Sequence, residues 1–180
     1  MTRIFGGIGR VLAAGAVALA LALFTSSPAP AAVQVAQKVC ANVYMQDSGW
    51  TGEQCALAGQ SMTVGAEGKG KRIEGLVVAV GGSSVCVQGY VQGTGWQAKK
   101  CGAAGERVRV GAAGEGLRLE AVIFSVAAGT ICGNSYVVGV GWNPAWYCGV
   151  NGETNAIGTT GQNKRMEAVS FMICRSIENC

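Results

Sequence analysis

The chain has 180 residues, of which 49% are hydrophobic and 13% charged, with 29 glycines, three prolines, eight cysteines and no histidine. Its net charge of +4 falls to +2 once Arg3 and Arg10 of the N-terminal segment are set aside, leaving 12 Lys+Arg against 10 Asp+Glu; that is too little to make nucleic acid or an anionic membrane a main partner. Without histidine, Ser-His-Asp and Cys-His catalysis are excluded, and so are the commonest mixed zinc sets.

The N-terminus reads as an export signal. Arg3 and Arg10 form a basic region, residues 11–24 an apolar run rich in Ala, Leu and Val, and residues 25–32 a stretch of small residues and prolines. Cleavage is expected after Ala31 or Ala32, giving a signal peptide at 1–32, a short tail at 33–38 and a single domain at 39–180. The apolar run is too short for a comfortable membrane span, there is no Arg-Arg pair, and Cys40, after Gln37-Lys38-Val39, is not set up for lipidation. A secreted protein, extracellular or wall-associated and with no membrane span, is the expectation. Roughly 145 residues remain after the leader, enough to bury one core.

A fixed period organises the rest. Trp50, Trp96 and Trp142 are spaced by 46 and 46 residues, as are Tyr44, Tyr90 and Tyr136, and Cys40, Cys86 and Cys132. Cys55, Cys101 and Cys148 are spaced by 46 and 47, so the third unit has one extra residue. Glycines recur in the same register (Gly65, Gly111 and Gly158 among them), and each unit then reaches Arg-x-Glu: Arg72 and Glu74, Arg118 and Glu120, Arg165 and Glu167. Three repeats follow, at about 39–84, 85–130 and 131–180.

Each unit reads as β-structure. The stretch 118–126 is short, rich in β-formers and bounded by glycines, with Glu120, Val122, Phe124 and Val126 on one face. The equivalent faces are Glu74, Leu76, Val78, Val80 and Glu167, Val169, Phe171, Ile173, and all should point into the core. Repeated β-units protect their sheet edges best by closing. The expected fold is therefore all-β and disulfide-stapled, three-fold pseudosymmetric and closed, of β-prism type, with a β-trefoil as the alternative.

All eight cysteines follow the leader, and an even count in an exported chain reads as disulfides. No Cys-x-x-Cys motif is present, so no metal site is expected, and no cofactor either. Midway between paired cysteines lie Asp47-Ser48, Gly93-Thr94, and Val140 between Gly139 and Gly141, all turn-prone. Hairpins centred there would bring together Cys40–Cys55, Cys86–Cys101 and Cys132–Cys148, leaving Cys174–Cys180. Each such loop contributes about 3 kcal/mol in the chain-entropy model. A second pairing, Cys55–Cys86, Cys101–Cys132, Cys148–Cys180 and Cys40–Cys174, would instead staple neighbouring repeats.

The unit Cys-x3-Tyr-x4-Gly-Trp, with its Gly-rich passage and Arg-(Ile/Leu/Met)-Glu-(Gly/Ala), resembles the ChW repeat, the clostridial hydrophobic repeat with a characteristic Trp. The third copy is closest: Gly141-Trp142, Trp146, Asn151-Gly152, Gly158-Thr159-Thr160-Gly161-Gln162 and Arg165-Met166-Glu167-Ala168. The first two copies lack the second Trp, the histidine that often follows the Tyr is missing, and the cysteine pair is an addition. The resemblance implies an exported or surface protein that mediates adhesion or assembly through a ligand the family does not define.

Trp50, Trp96 and Trp142 each admit two readings: a plug for the core of its unit, or a flat surface for stacking on a sugar ring or gripping an apolar side chain. Trp146 and Tyr147 occur in the third unit only, after Asn143-Pro144-Ala145, so if one repeat dominates binding it is the third. Tyr44, Tyr90 and Tyr136 are read as recurring structural positions. Glu74, Glu120 and Glu167 head apolar faces, where a carboxylate must be paired. Backbone amides of the Gly-rich turns, or an indole N–H, with Arg72, Arg118 and Arg165 as counter-charges, would serve; recognition of sugar hydroxyls is the other possibility. No catalytic residue is assigned, because the recurring glutamates come one per unit and Asp47 is the sole aspartate. A non-enzymatic module for cell-wall or other polysaccharide or surface ligands is the expectation, with an extracellular protein-binding or inhibitor-like module as the alternative.

Overall fold

Alternation sets the first strand. Val39, Ala41, Val43 and Met45 point into the core, while Asn42 and Tyr44 between them are half-buried on the other side. The structure, a computed structural model, describes residues 37–175 and Cys180; the export signal read at 1–32 lies outside the described residues.

Among the described residues there is no helix, and the strands follow one order three times. In the first unit β1 (Lys38–Met45) turns into β2 (Gly49–Trp50), continues through β3 (Gln54–Leu57) and β4 (Ser61–Gly65), and ends in the long β5 (Ile73–Gly81). The second contains β6 (Val85–Val91), β7 (Gly95–Trp96), β8 (Lys100–Gly102), β9 (Val108–Gly111) and β10 (Leu119–Val126). The third contains β11 (Thr130–Val137), β12 (Gly141–Trp142), β13 (Tyr147–Val150), β14 (Asn155–Gly158) and β15 (Met166–Ile173).

These strands form three antiparallel five-stranded sheets, none closed on itself. Each sheet takes four strands from one unit and borrows its fifth from another. β9 of the second unit pairs with β5, β14 of the third with β10, and β4 of the first with β15. The loans run in a cycle, and the last joins the beginning of the domain to its end.

The seam between units explains a recurring glycine. Gly65, Gly111 and Gly158 all have positive φ, and a Cβ on any of them would lie 2.2–2.4 Å from the carbonyl oxygen of Glu167, Glu74 or Glu120 respectively. Those same carbonyls accept a hydrogen bond from the next residue along, from Ala66 (2.8 Å), Ala112 (2.7 Å) and Thr159 (2.9 Å). Only glycine permits this approach with that backbone conformation.

The cysteines are placed by hairpin register. Cys40 lies opposite Cys55, Cys86 opposite Cys101 and Cys132 opposite Cys148, each pair disulfide-bonded, and Cys174 bonds Cys180. The pairing between neighbouring units is not formed. The hairpin turns centre on Asp47 (φ 60°), Gly93 (73°) and Gly139 (72°), all left-handed; the third lies one residue before the expected Val140, because the extra residue of that unit falls between Trp142 and Cys148. Asp tolerates that conformation better than most residues.

The inner faces meet in one core. Leu76, Val78, Val80, Val122, Phe124, Val126, Val169, Phe171 and Ile173 are all buried, and the rings of Phe124 and Phe171 meet edge to face at 5.4 Å. Gly133 makes room for them, since a Cβ there would lie 2.7 Å from the Phe124 ring.

Candidate functional site

The core-plug reading of the tryptophans is corrected. Trp50 and Trp96 are 37% and 39% exposed, and Trp142 is half-buried. The reason is register. Trp50 pairs with Tyr44, Trp96 with Tyr90 and Trp142 with Tyr136. Residues directly opposite in an antiparallel pair share a face, and each Tyr sits on the outer face of its strand. The pairs pack edge to face, at 5.5, 5.2 and 5.9 Å between ring centroids.

The recurring Arg and Glu lie at the seam. Arg72, Arg118 and Arg165 donate through Nε to Glu74 (3.0 Å), Glu120 (2.7 Å) and Glu167 (2.8 Å). The second oxygen of Glu74 accepts from the amides of Gly114 (3.1 Å) and Gly116 (3.4 Å) in the second unit, and that of Glu167 from Gly70 (3.3 Å) in the first. These carboxylates are thus buried with partners, and two of them hold a glycine turn of a different unit. The sulfurs of Cys132, Cys174 and Cys180 cluster, but each is in a disulfide, which leaves no thiolate to bind a metal.

A groove of about 480 Å³ opens on the outer face of the third sheet, lined by Trp142, Trp146, Asn134, Ser170, Thr63, Ser61 and Glu67. Its floor is a cross-strand row: Asn134 on β11 faces Ser170 on β15, which faces Thr63 on the borrowed β4. The row is internally bonded. Thr63 Oγ1 donates to Ser170 Oγ (3.1 Å), Ser170 Oγ to the Met62 carbonyl (2.8 Å), and Asn134 Nδ2 to the Asn143 carbonyl (3.0 Å). The last bond ties the start of the 143–146 loop to the sheet, beside Trp146, which is 38% exposed. Flat indoles beside a floor of fixed hydroxyls and amides suit a ligand that has both apolar and hydroxylated faces.

Of the residues singled out in the sequence, Trp142 and Trp146 come together here. Tyr147 is exposed on β13 and does not line the groove, and Trp50 and Trp96 stand on the other two sheets. Ser61, Thr63, Glu67, Asn134 and Ser170 were not anticipated. Aligning the units offers a signal for three of them: Thr63 corresponds to Arg109 and Ala156, Ser170 to Val77 and Ile123, and Asn134 to Asn42 and Gln88. Only the third sheet has three small polar residues in this row. No family model, no curated protein and no solved structure matches the chain.

Proposed function

We propose that this chain is a secreted, non-enzymatic binding module that holds a cell-wall or other surface polysaccharide in the groove of the third sheet. The observation that carries the proposal is that Trp142 and Trp146 line one groove together with the polar row of Asn134, Ser170 and Thr63. Sugar rings offer an apolar C–H face to indoles and hydroxyls to such a floor. The reading agrees with the binding role that the ChW resemblance implies, and four disulfides suit an oxidising, extracellular setting. A binding role rather than a glycosidase role is favoured because Glu67 is the one carboxylate in the lining, and glycoside hydrolysis commonly uses two.

For the architecture we propose a closed, three-fold pseudosymmetric arrangement of β-prism type. Its support is the cycle of strand loans and the seam bonds at three equivalent positions. Three separate open sheets favour a prism over a trefoil.

The test is co-sedimentation with insoluble polysaccharides and with peptidoglycan. Retention of the wild type, lost in a folded Trp142→Ala variant, is expected. Equal retention of the two would place the site elsewhere. A binder of extracellular protein is the second reading, favoured by Trp50, which stands exposed on the first sheet beneath the Arg109 guanidinium at 4.9 Å.

A further inference from the structure

A second cavity, of about 270 Å³, lies where all three units meet, lined by Arg72, Arg118, Arg165, Gln46, Gln92 and Asn163, with Gly116. Three guanidinium groups share one small space. Each takes its counter-charge from a carboxylate that is not in the lining: Glu74, Glu120 and Glu167 are buried, and the second oxygens of Glu74 and Glu167 turn to glycine amides of other units. The glutamates thus fix the arginines by one edge and leave the remaining edges to the cavity.

Donors outnumber acceptors on that wall. A guanidinium has five N–H donors. Apart from the bonds to glutamate, Arg118 gives one to Asn163 Oδ1 (2.8 Å), and most of the others find no protein acceptor among the described residues. Gln92 turns its Oε1 toward the Arg118 amide (3.5 Å), which leaves its side-chain nitrogen as the free end. The three glutamates offset the charge of the cluster, but the guanidinium edges that face the cavity remain donors from which an anion can accept. Planar guanidinium forks match phosphate and sulfate oxygens two at a time.

We propose that this cavity binds a tetrahedral oxyanion, a phosphate or sulfate group, held by Arg72, Arg118 and Arg165 together. The site draws on every unit, so its ligand would also tie the three together. It shares no residue with the tryptophan groove and stands or falls separately.

Calorimetric titration of the disulfide-bonded protein with inorganic phosphate, inorganic sulfate and glycerol 1-phosphate, at constant ionic strength, tests it. Saturable one-to-one binding of at least one is expected. Binding of the free ions identifies an ion site, whereas binding of the ester alone identifies a phosphorylated ligand. The double variant Gln46→Glu, Gln92→Glu adds negative charge to the lining without touching the Arg–Glu pairs, and should weaken binding by about tenfold or more. NMR shifts of the Nη–H groups of the three arginines, on adding whichever of the three anions binds, give a readout that needs no variant. Absence of saturable binding in the millimolar range, undiminished affinity in the double variant, or unmoved arginine signals would overturn the proposal.

Discussion

The outer faces of the first and third sheets carry the same cross-strand row with different side chains. On the first sheet Asn42 faces Val77, which faces Arg109, and the Arg109 guanidinium lies over Trp50. On the third sheet Asn134, Ser170 and Thr63 occupy the equivalent places, and a groove remains between Trp142 and Trp146. Backbone pairing is alike in the two. Side-chain size and one extra residue before Cys148 make the difference between an indole with an arginine across its face and a groove with a small polar floor.

Seam variants should have the largest effect and divide the two faces cleanly. Gly65→Ala and Gly111→Ala each drive a Cβ into a carbonyl 2.4 Å away at a positive φ, and each should cost about 3 kcal/mol in chemical denaturation. Only Gly65→Ala disturbs β4, which carries Ser61 and Thr63, so polysaccharide retention should fall in that variant and persist in folded Gly111→Ala. Next in size, Trp146→Ala should weaken binding by about 2 kcal/mol, as loss of a central aromatic anchor does, while Trp50→Ala leaves it unchanged. Equal losses in co-sedimentation would erase the distinction between the faces.

A transplant sharpens the comparison further. Thr63→Arg with Ser170→Val gives the third sheet the row of the first, and should reduce affinity by about tenfold, near 1.4 kcal/mol, by filling the groove. Retained affinity would mean that the floor is irrelevant. The smallest effect concerns the first hairpin turn, where Asp47 stands in place of Gly93 and Gly139. A hydrogen bond from Lys71, with the charge of its ammonium, holds the Asp47 carboxyl below its ordinary value of 3.8. The folded-state pKa is depressed, so the pair contributes above the ordinary value and its contribution is lost as pH falls through the lowered one. In an NMR titration Lys71→Gln should bring Asp47 back toward the ordinary value, whereas an unchanged midpoint would rule out Lys71 as the cause.

Part of this was legible in the chain. The midpoints of the cysteine pairs located the hairpins because a two-strand turn puts equidistant residues opposite each other. The Arg-x-Glu pairs announced themselves because a carboxylate at the head of an apolar face needs a partner. The outward position of Trp50 was also encoded: it lies opposite Tyr44, and Tyr44 alternates with the inward Val43 and Met45. What could not be read was which sheet receives β4, β9 or β14. Alternation at Met62 and Val64 shows that β4 has a buried face, but pairing between residues 61–65 and 168–172 depends on closing a long loop that leaves no local mark. The groove floor was hidden for the same reason, since Thr63, Asn134 and Ser170 become neighbours only through that pairing.

Four tryptophans give four indole N–H signals, and these provide the most direct measurement. In a nitrogen-correlated NMR spectrum titrated with a soluble fragment of the retained polysaccharide, the signals of Trp142 and Trp146 should move together and saturate while those of Trp50 and Trp96 stay in place. Movement confined to Trp50 or Trp96, or equal movement of all four, would contradict a single binding groove on the third sheet.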